Sequence, residues 1–351
     1  MDAKESGLLG RVPAGGGIPL YVQSHTARVS KEGERLIVTD EDAAPVAVRL
    51  GEISQVVLMG NVTITTPCLH ELMRRAIPVS WHGANGWFLG HTVGIDQGAP
   101  DLRQAQYAAF ADPERALGLA RGVVAAKIRC GRERLRRRGL LGRFAVTPPL
   151  LARLAAKAER AATPDTLRGL EGTAAALYFK ALGASLRPPS VADTKAFRFT
   201  VRRRHPPPDP VNALLSFAYA LLLRVVTVAL SGARLDPMAG FYHVQAPGRP
   251  ALALDMMEPF RPLLADAAVA ALITTGAVSA TDFTAAEEGI MLSASARKVL
   301  IGAFERRLET EVTVPHLGAA LSYRRLIAMQ ALLLAQYLAG RRADVPHFVP
   351  A

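Results

Sequence analysis

Residues 240–262 of the chain, GFYHVQAPGRPALALDMMEPFRP, combine a histidine, two acids and two arginines with apolar residues and four prolines. His243 taken alone fits a satisfied core residue better than a ligand. Asp255 and Glu258 are spaced i, i+3, which also suits a capping box that opens a helix. The prolines after Glu258 favour a nearby helix start, because proline does not fit a helix interior. The stretch therefore has two interpretations, a capped helix start and one half of a metal site.

Glu171 supplies a further acid in a second stretch, LEGTAAALYFKAL at residues 170–182. It lies four residues before Ala175 and seven before Tyr178, on one helical stripe of small and aromatic side chains. A carboxylate on such a stripe is costly unless it is paired or bound to a metal. The alternative is an acid near a helix N-terminus, where the helix dipole favours it, and the local pattern leans toward that alternative.

Glu171, His243 and Glu258 would together offer an imidazole and two carboxylates. This donor set suits Mg²⁺ or Mn²⁺ rather than a thiolate-seeking metal. Enzymes that act on phosphodiesters commonly use a hard divalent ion beside a basic surface. Glu171 precedes His243 by 72 residues, and His243 precedes Glu258 by 15. Spacing alone therefore leaves open whether the three side chains meet.

Positive charge is in excess and clustered. The chain has 42 Lys and Arg against 30 Asp and Glu, a formal charge of +12. Residues 127–143 hold eight basic residues and one Glu, and residues 195–205 hold five basic residues and no acid. Such clusters bind nucleic-acid phosphates with salt-dependent, sequence-independent affinity, although a solvated helix face and a basic loop would show the same pattern. The candidate nucleic-acid contacts are Lys127, Arg132, Arg202, Arg203, Arg204, Arg249 and Arg261, the last two being alternatively partners that orient the acids.

Cysteine usage and hydropathy indicate the compartment. Cys68 and Cys130 show no CxxC spacing, which fits a reducing environment and neither a disulfide framework nor a zinc knuckle. The N-terminus lacks the apolar segment of a signal peptide. Residues 212–230 are long enough for a membrane span, but polar residues interrupt them, so a buried core helix is favoured. We therefore predict a cytoplasmic protein with no membrane association.

The periodicity predicts an α+β multidomain chain, with a small N-terminal β-rich, sandwich-like domain followed by a large all-α domain. Residues 1–17 read as a flexible tail or linker. Short β-branched runs between turn residues predict the β-rich domain over 18–97, with a linker at 98–106 and helices over 107–351. Within the first domain, TPCLHELMRRA predicts one short helix, and the Asn-Gly step of WHGANGWFLG predicts a hairpin.

Several motifs resemble one known family, the CRISPR-associated protein 1 family, which is the integrase of CRISPR adaptation. The motifs are LEGTAAALYFKAL, RRRHPPPDPVNALLSFAYALL, LDPMAGFYHVQAPGRPALALDMMEPFRPLLAD and SYRRLIAMQALLLAQYLAG. The resemblance covers nearly the whole chain from about residue 18. Agreement of several ordered motifs over this length is a much stronger signal than one short pattern. It implies a β-rich dimerisation domain and a helical, metal-dependent catalytic domain.

The resemblance also implies a site and a reaction. The family's metal ligands, for Mg²⁺ or Mn²⁺, correspond to Glu171, His243 and Glu258, with Asp255 and Asp266 as supporting acids. In the implied transesterification, the 3′-hydroxyl of a captured DNA fragment attacks a phosphodiester at the repeat boundary of the CRISPR array, which inserts a new spacer. The implied partners are double-stranded DNA (protospacer and CRISPR repeat), a second copy of the chain, and CRISPR-associated protein 2, with two integrase dimers around one partner dimer.

Two other functions stay open at this point. A transposon-type integrase of the same fold usually carries extra DNA-binding sequence after the helical domain, whereas this chain ends eleven residues after Gly340, so we expect the CRISPR function. The other alternative is a non-catalytic, basic DNA-binding scaffold. We also hypothesise that residues 1–17 are the remnant linker of a fusion to the nuclease called CRISPR-associated protein 4.

Overall fold

A β-rich N-terminal part is followed by a helical part, which confirms the predicted fold class. The predicted tail lies outside the described residues, except for Gly17. The computed structural model describes residues 17–41, 43–84, 86–92, 94, 99–137, 147–203, 206–287, 289–314 and 319–350.

The β-rich part consists of two four-stranded sheets, ordered β1-β5-β7-β8 and β4-β3-β2-β6. In the first sheet β1, β5 and β7 run parallel, and β8 closes an antiparallel hairpin with β7, as the Asn-Gly step predicts. The TPCLHELMRRA segment forms the predicted helix, α1 (Thr66–Arg74). The strands are β1 (Ile18–Gln23), β2 (Arg28–Glu32), β3 (Arg35–Asp40), β4 (Ala43–Arg49), β5 (Ile53–Met59), β6 (Thr63–Ile64), β7 (Val79–His82) and β8 (Phe88–Thr92).

Strand β5 is buried on both faces and joins the two parts of the chain. Successive side chains of a strand point to opposite faces of its sheet. Val56 and Leu58 accordingly pack in the core between the two sheets, whereas Val57 and Met59 pack in the core of the helical part. The first sheet therefore packs against the second sheet with one face and against the helical part with the other.

The helical part also contains two short antiparallel hairpins that the sequence did not reveal, β9–β10 and β11–β12. Helix α2 covers most of the predicted linker, and the domain boundaries themselves stay a prediction. The elements are α2 (Pro100–Ala111), α3 (Pro113–Arg137), α4 (Thr147–Ala158), α5 (Pro164–Ser185), α6 (Pro210–Gly232), α7 (Ala251–Met257), a π-helical turn (Arg261–Ala265), α8 (Asp266–Thr275), β9 (Phe283–Ala286), β10 (Gly289–Leu292), α9 (Ala294–Leu308), β11 (Glu311–Val314), β12 (Ala319–Ser322) and α10 (Tyr323–Leu338).

Helix α6 is the central core helix. Asp209 caps its N-terminus by accepting the backbone N–H of Asn212 (2.8 Å), and Pro210 stands in its first turn, where a missing N–H is tolerated. Within the described residues α6 alone is long and apolar enough to cross a membrane, and 72% of its most apolar stretch is buried inside the protein. This burial agrees with the predicted core helix.

A fully buried arginine on α6 ties the first sheet to the helices. Arg224 donates to Gln55 Oε1 on β5 (2.5 Å) and to the Tyr21 hydroxyl on β1 (2.7 Å). The Tyr21 hydroxyl in turn donates to Glu305 Oε1 on α9 (2.5 Å). Since a buried charge is tolerated only when it is paired and hydrogen-bonded, these four groups hold the two parts in one relative position.

His82, at the end of β7, makes the stability of the fold depend on pH. Its buried ring places Nδ1 3.2 Å from the carbonyl oxygen of Gly86. Burial, reinforced by the positive charge of Arg224, lowers the pKa of His82 from its ordinary 6.5 to about 4. The unfolded chain therefore binds a proton that the folded chain excludes between these two values, so stability falls as the pH drops from 6.5 toward 4.

The unfolding free energy should fall between about pH 7.5 and about pH 5.5, and we expect His82 to account for about 1 kcal/mol of that fall. Urea unfolding at the two pH values measures this loss, which should be smaller by that amount in His82→Gln. The control is His70→Gln, which replaces an exposed histidine and should leave the pH dependence unchanged. Identical losses in wild type and His82→Gln would refute the assignment.

Candidate metal centre

The buried carboxylate of Asp255 organises residues 240–243. Its Oδ2 accepts the backbone N–H groups of Phe241 (2.8 Å) and Tyr242 (3.1 Å), and its Oδ1 accepts that of His243 (2.8 Å). The capping-box interpretation is wrong, because α7 begins at Ala251, so Asp255 lies inside the helix and Glu258 at its C-terminal end. Asp255 instead satisfies the backbone of a loop that passes over the helix.

Gly240 is required by the close approach of this loop to α7. A Cβ atom at this position would lie 2.6 Å from the carbonyl carbon of Ala251 and 2.7 Å from Oδ2 of Asp255. Both distances are too short for any side chain. The glycine thus lets the loop descend far enough for its N–H groups to reach Asp255.

The same carboxylate orients the imidazole of His243. Nδ1 lies 2.6 Å from Asp255 Oδ1, so we assign the ring proton to Nδ1 and the lone pair to Nε2. Nε2 faces Glu258 Oε1 at 3.7 Å. A histidine held by a carboxylate at one nitrogen and free to coordinate with the other is the arrangement common to metal-ligating histidines.

Lys127 brings the two predicted carboxylate ligands together. Its Nζ on α3 lies 2.5 Å from Glu171 Oε1 on α5 and 2.7 Å from Glu258 Oε2 at the end of α7. Burial by itself lowers the pKa of Lys127, but Glu258 and Glu171 outweigh it and raise that pKa, so the ammonium stays charged. Glu171 is seven residues past the start of α5 at Pro164, so the dipole of the first turn does not explain it.

Tyr242 completes the surroundings of Glu171 and was missed by the motif analysis, although it adjoins His243. Its hydroxyl donates to Glu171 Oε2 at 2.5 Å, opposite the oxygen that contacts Lys127. Burial, with the negative charge of Glu171, raises the pKa of Tyr242 well above its ordinary value. Tyr242 is therefore a neutral donor that fixes the orientation of the Glu171 carboxylate.

Arg261 lies beside Glu258, in a position that suits one of the two roles left open for this residue, a partner that orients the acids. Its Nε lies 3.2 Å from Glu258 Oε1, and its guanidinium stacks 4.5 Å from the centre of the Tyr219 ring. Burial pushes the pKa of Glu258 upward, but the positive charges of Arg261 and Lys127 outweigh it and lower that pKa to about 2. Glu258 is therefore an ionised carboxylate in a buried position.

Asp266 belongs to a neighbouring cluster rather than to the pair of glutamates. Its two carboxylate oxygens accept the hydroxyls of Tyr178 and Tyr219, each at 2.7 Å. Burial raises the pKa of Asp266. Its connection to the site runs through Tyr219, on whose ring Arg261 stacks.

The donor types that converge here, two carboxylates and one imidazole, are ones that a hard divalent cation accepts. No group of three or more His, Cys, Asp and Glu among the described residues is spaced as a ready-made metal cluster. The position between the two glutamates is taken by a cation of the chain itself, the ammonium of Lys127. Two carboxylates and the Nε2 of His243 are the donor types that Mg²⁺ and Mn²⁺ accept.

Three of the seven predicted nucleic-acid contacts, Lys127, Arg202 and Arg261, line a pocket of about 230 Å³ beside Glu171. The guanidinium of Arg202 donates to Asn212 Oδ1 and Ser216 Oγ, both at 3.0 Å. Of the remaining candidates, Arg203 is exposed, Arg132 and Arg249 are partly exposed, and Arg204 lies outside the described residues. Nucleic-acid contact stays a prediction for all seven.

Comparison with known proteins gives a family match. The model of the family described as "CRISPR associated protein Cas1" matches residues 20–306. A Cas4/Cas1 fusion of Geobacter sulfurreducens, named as an exonuclease and endonuclease, is 48% identical over 96% of this chain and 61% of its own length. A CRISPR-associated endonuclease Cas1 of Thermus thermophilus is 37% identical over 96% of this chain and 98% of its own. The chain thus spans about three fifths of the fusion it matches.

Solved structures show the same fold. A casposase bound to its integration product superposes with a TM-score of 0.80, at 24% identity over 93% of this chain and 92% of the casposase. A chain of a Cas6-RT-Cas1–Cas2 complex superposes with a TM-score of 0.78, at 26% identity over 96% of this chain and 36% of that chain.

The buried position of Asp255 predicts a double effect of Asp255→Asn. In the wild type, the Asp255 carboxylate accepts backbone N–H groups and the ring N–H of His243. In the variant, the amide NH₂ group would face some of these donors, so we expect a loss of about 3 kcal/mol of unfolding free energy. Displacement of His243 should also weaken Mn²⁺ binding by about 10- to 100-fold. Urea unfolding and calorimetric Mn²⁺ titration measure the two effects. Asp101→Asn, at an exposed position, is the control, and an Asp255→Asn protein that matches it in both assays would contradict the role of Asp255.

Proposed function

The chain belongs to the CRISPR-associated protein Cas1 family, and from this membership we propose that it is a metal-dependent DNA integrase and endonuclease of CRISPR adaptation. The observation that carries the proposal is the convergence of Glu171, Glu258 and His243 from α5, the end of α7 and the preceding loop. These were the three residues that the family resemblance assigned as ligands.

Glu171, Glu258 and His243 would hold one Mg²⁺ or Mn²⁺ ion. When bound, such an ion neutralises phosphate oxygens and favours displacement at phosphorus. The chain's own contribution is preorganisation. Asp255 fixes the His243 tautomer, Tyr242 fixes Glu171, and the ligands stand in place before substrate arrives.

The proposed reaction is transesterification at the repeat boundary of a CRISPR array. The 3′-hydroxyl oxygen of the captured fragment forms a bond to phosphorus and loses its proton. The bond from phosphorus to the 3′-oxygen of the repeat strand breaks, and that oxygen gains a proton. The number of phosphodiester bonds is conserved, so no energy source beyond the two DNA substrates is required.

Basic side chains around the pocket would place the DNA. Arg202 stands at the pocket with its guanidinium fixed by Asn212 and Ser216, and Arg203 is exposed beside it. Contacts of this kind hold the phosphate backbone and carry no sequence information by themselves. Arg132 and Arg249, both partly exposed, would add further phosphate contacts.

Two partners have support from the comparisons. The complex that contains Cas2 motivates our proposal that CRISPR-associated protein 2 bridges two dimers of this chain. The fusion relative motivates our proposal that a CRISPR-associated protein 4 nuclease acts together with it. Double-stranded DNA, as protospacer and as CRISPR repeat, is the proposed substrate.

Ligand substitutions test the proposed chemistry. We expect Glu171→Ala and His243→Ala to reduce Mn²⁺- or Mg²⁺-dependent strand transfer by about 100-fold or more, since loss of the metal removes several kcal/mol of transition-state stabilisation. DNA affinity, measured by fluorescence anisotropy, should change little, because the phosphate contacts are intact.

Glu32→Ala and His70→Ala, two exposed positions in the β-rich part, are the matched controls. Full strand transfer by both ligand variants would overturn the metal site. Absence of strand transfer in wild type, with DNA binding retained, would favour the non-catalytic scaffold. Strand transfer into transposon-type targets but not into repeat DNA would favour the transposon-type integrase.

A further inference from the structure

Lys127 lies between the two carboxylates that are proposed as metal ligands. Its Nζ is 2.5 Å from Glu171 Oε1 and 2.7 Å from Glu258 Oε2. The three side chains come from α3, α5 and the end of α7, so this ion pair joins separate elements of the core. The side chains of Lys127 and Glu171 are 22% and 19% exposed, so the ion pair between them is partly accessible to solvent.

The other oxygen of each carboxylate is tied to a fixed partner. Glu171 Oε2 accepts the Tyr242 hydroxyl at 2.5 Å, and Glu258 Oε1 lies 3.2 Å from Arg261 Nε. The partners of these oxygens are an aromatic hydroxyl and a guanidinium that is stacked on a ring. Lys127 is the partner with a flexible stem and a compact charge, and it is therefore the one that can be exchanged without disturbing the carboxylates.

We propose that Lys127 is an internal cation that holds Glu171 and Glu258 in ligand geometry and that the metal displaces on binding. This inference rests on the proposed function, because it concerns the same ligands. A divalent ion replaces a single positive charge between two negative ones, so the exchange is favourable electrostatically. Without the ammonium, the two carboxylates would repel each other in a largely buried position.

The pocket beside the carboxylates offers space for the displaced ammonium of Lys127. The pocket of about 230 Å³ beside the carboxylates is lined by Lys127 itself and by Arg202. Before the exchange, Lys127 and Arg261 balance the charges of Glu171 and Glu258. After it, the same site carries two additional positive charges, which a phosphodiester backbone entering the pocket would neutralise. Metal loading would thereby convert Lys127 from a partner of the protein's acids into a phosphate ligand.

Metal affinity of the full chain tests the inference independently of strand transfer. Mn²⁺ binding is followed by the electron paramagnetic resonance signal of free Mn²⁺ at constant pH. We expect Lys127→Met, which keeps the length of the stem and removes the charge, to bind Mn²⁺ about tenfold more tightly. Its melting temperature in chelator should fall below that of wild type, and the rise on adding Mn²⁺ should be larger.

Lys180→Met is the matched control, because Lys180 is an exposed lysine on the helix that carries Glu171. It should match wild type in both measurements. Unchanged or weaker Mn²⁺ binding by Lys127→Met would overturn the inference. If Glu258→Gln abolishes Mn²⁺ binding in the same assay, the proposed metal site stands even though the inference fails. If Glu258→Gln binds Mn²⁺ as wild type does, the proposed metal site fails and the inference fails with it.

A second measurement on wild-type protein covers the case in which Lys127→Met does not fold. Lysines are acetylated briefly with and without Mn²⁺, and the modified fraction at each site is read by mass spectrometry. Displacement predicts that Mn²⁺ increases acetylation of Lys127 severalfold while Lys180 is unaffected. Acetylation of Lys127 that stays the same or decreases would contradict displacement.

Discussion

The ion pairs between Lys127 and the two glutamates are the interaction on which the rest of the site depends. Helices α3 and α5 and the end of α7 pack through apolar faces, and this packing forces Glu171 and Glu258 to face one another. Like charges in such a position destabilise a fold unless a cation lies between them. The chain supplies that cation, so the geometry useful for binding a metal is compatible with a stable core in the absence of one.

The site combines rigid and adaptable parts. Both glutamates stand on or at the end of helices, whereas His243 stands on a loop whose position is set by hydrogen bonds to Asp255. The π-helical turn Arg261–Ala265 begins three residues after Glu258, and its first residue, Arg261, lies beside the Glu258 carboxylate. A loop ligand that is anchored to a helix in this way is nearly as well positioned as a ligand on the helix itself.

Local sequence patterns predicted those parts of the fold that depend on local interactions. Helix α1, the hairpin closed by β8 and the core helix α6 each carry their own periodicity or turn chemistry. The hairpins β9–β10 and β11–β12 have strands of about four residues, which are too short for period-2 alternation to stand out from the flanking helices.

The site was harder to predict, because it is formed by contacts between residues that are far apart in the sequence. The family resemblance selected Glu171, His243 and Glu258, whereas the stretch by itself favoured a capped helix start for Asp255 and Glu258. Lys127 was grouped with the nucleic-acid contacts because it opens a basic run. Which of several lysines and arginines on a helix turns inward is decided by packing against α5 and α7, and a run of basic residues does not carry that information.

The buried arginine of helix α6 has a mechanical consequence. Arg224 holds β1, β5 and α9 through Tyr21, Gln55 and Glu305, and separating the sheet from the helices would strip a guanidinium of all these partners at once. These contacts therefore oppose movement of the β-rich part relative to the helical part. If two copies of the chain assembled through their β-rich parts, the interface between those parts would therefore set the distance between the two candidate metal centres.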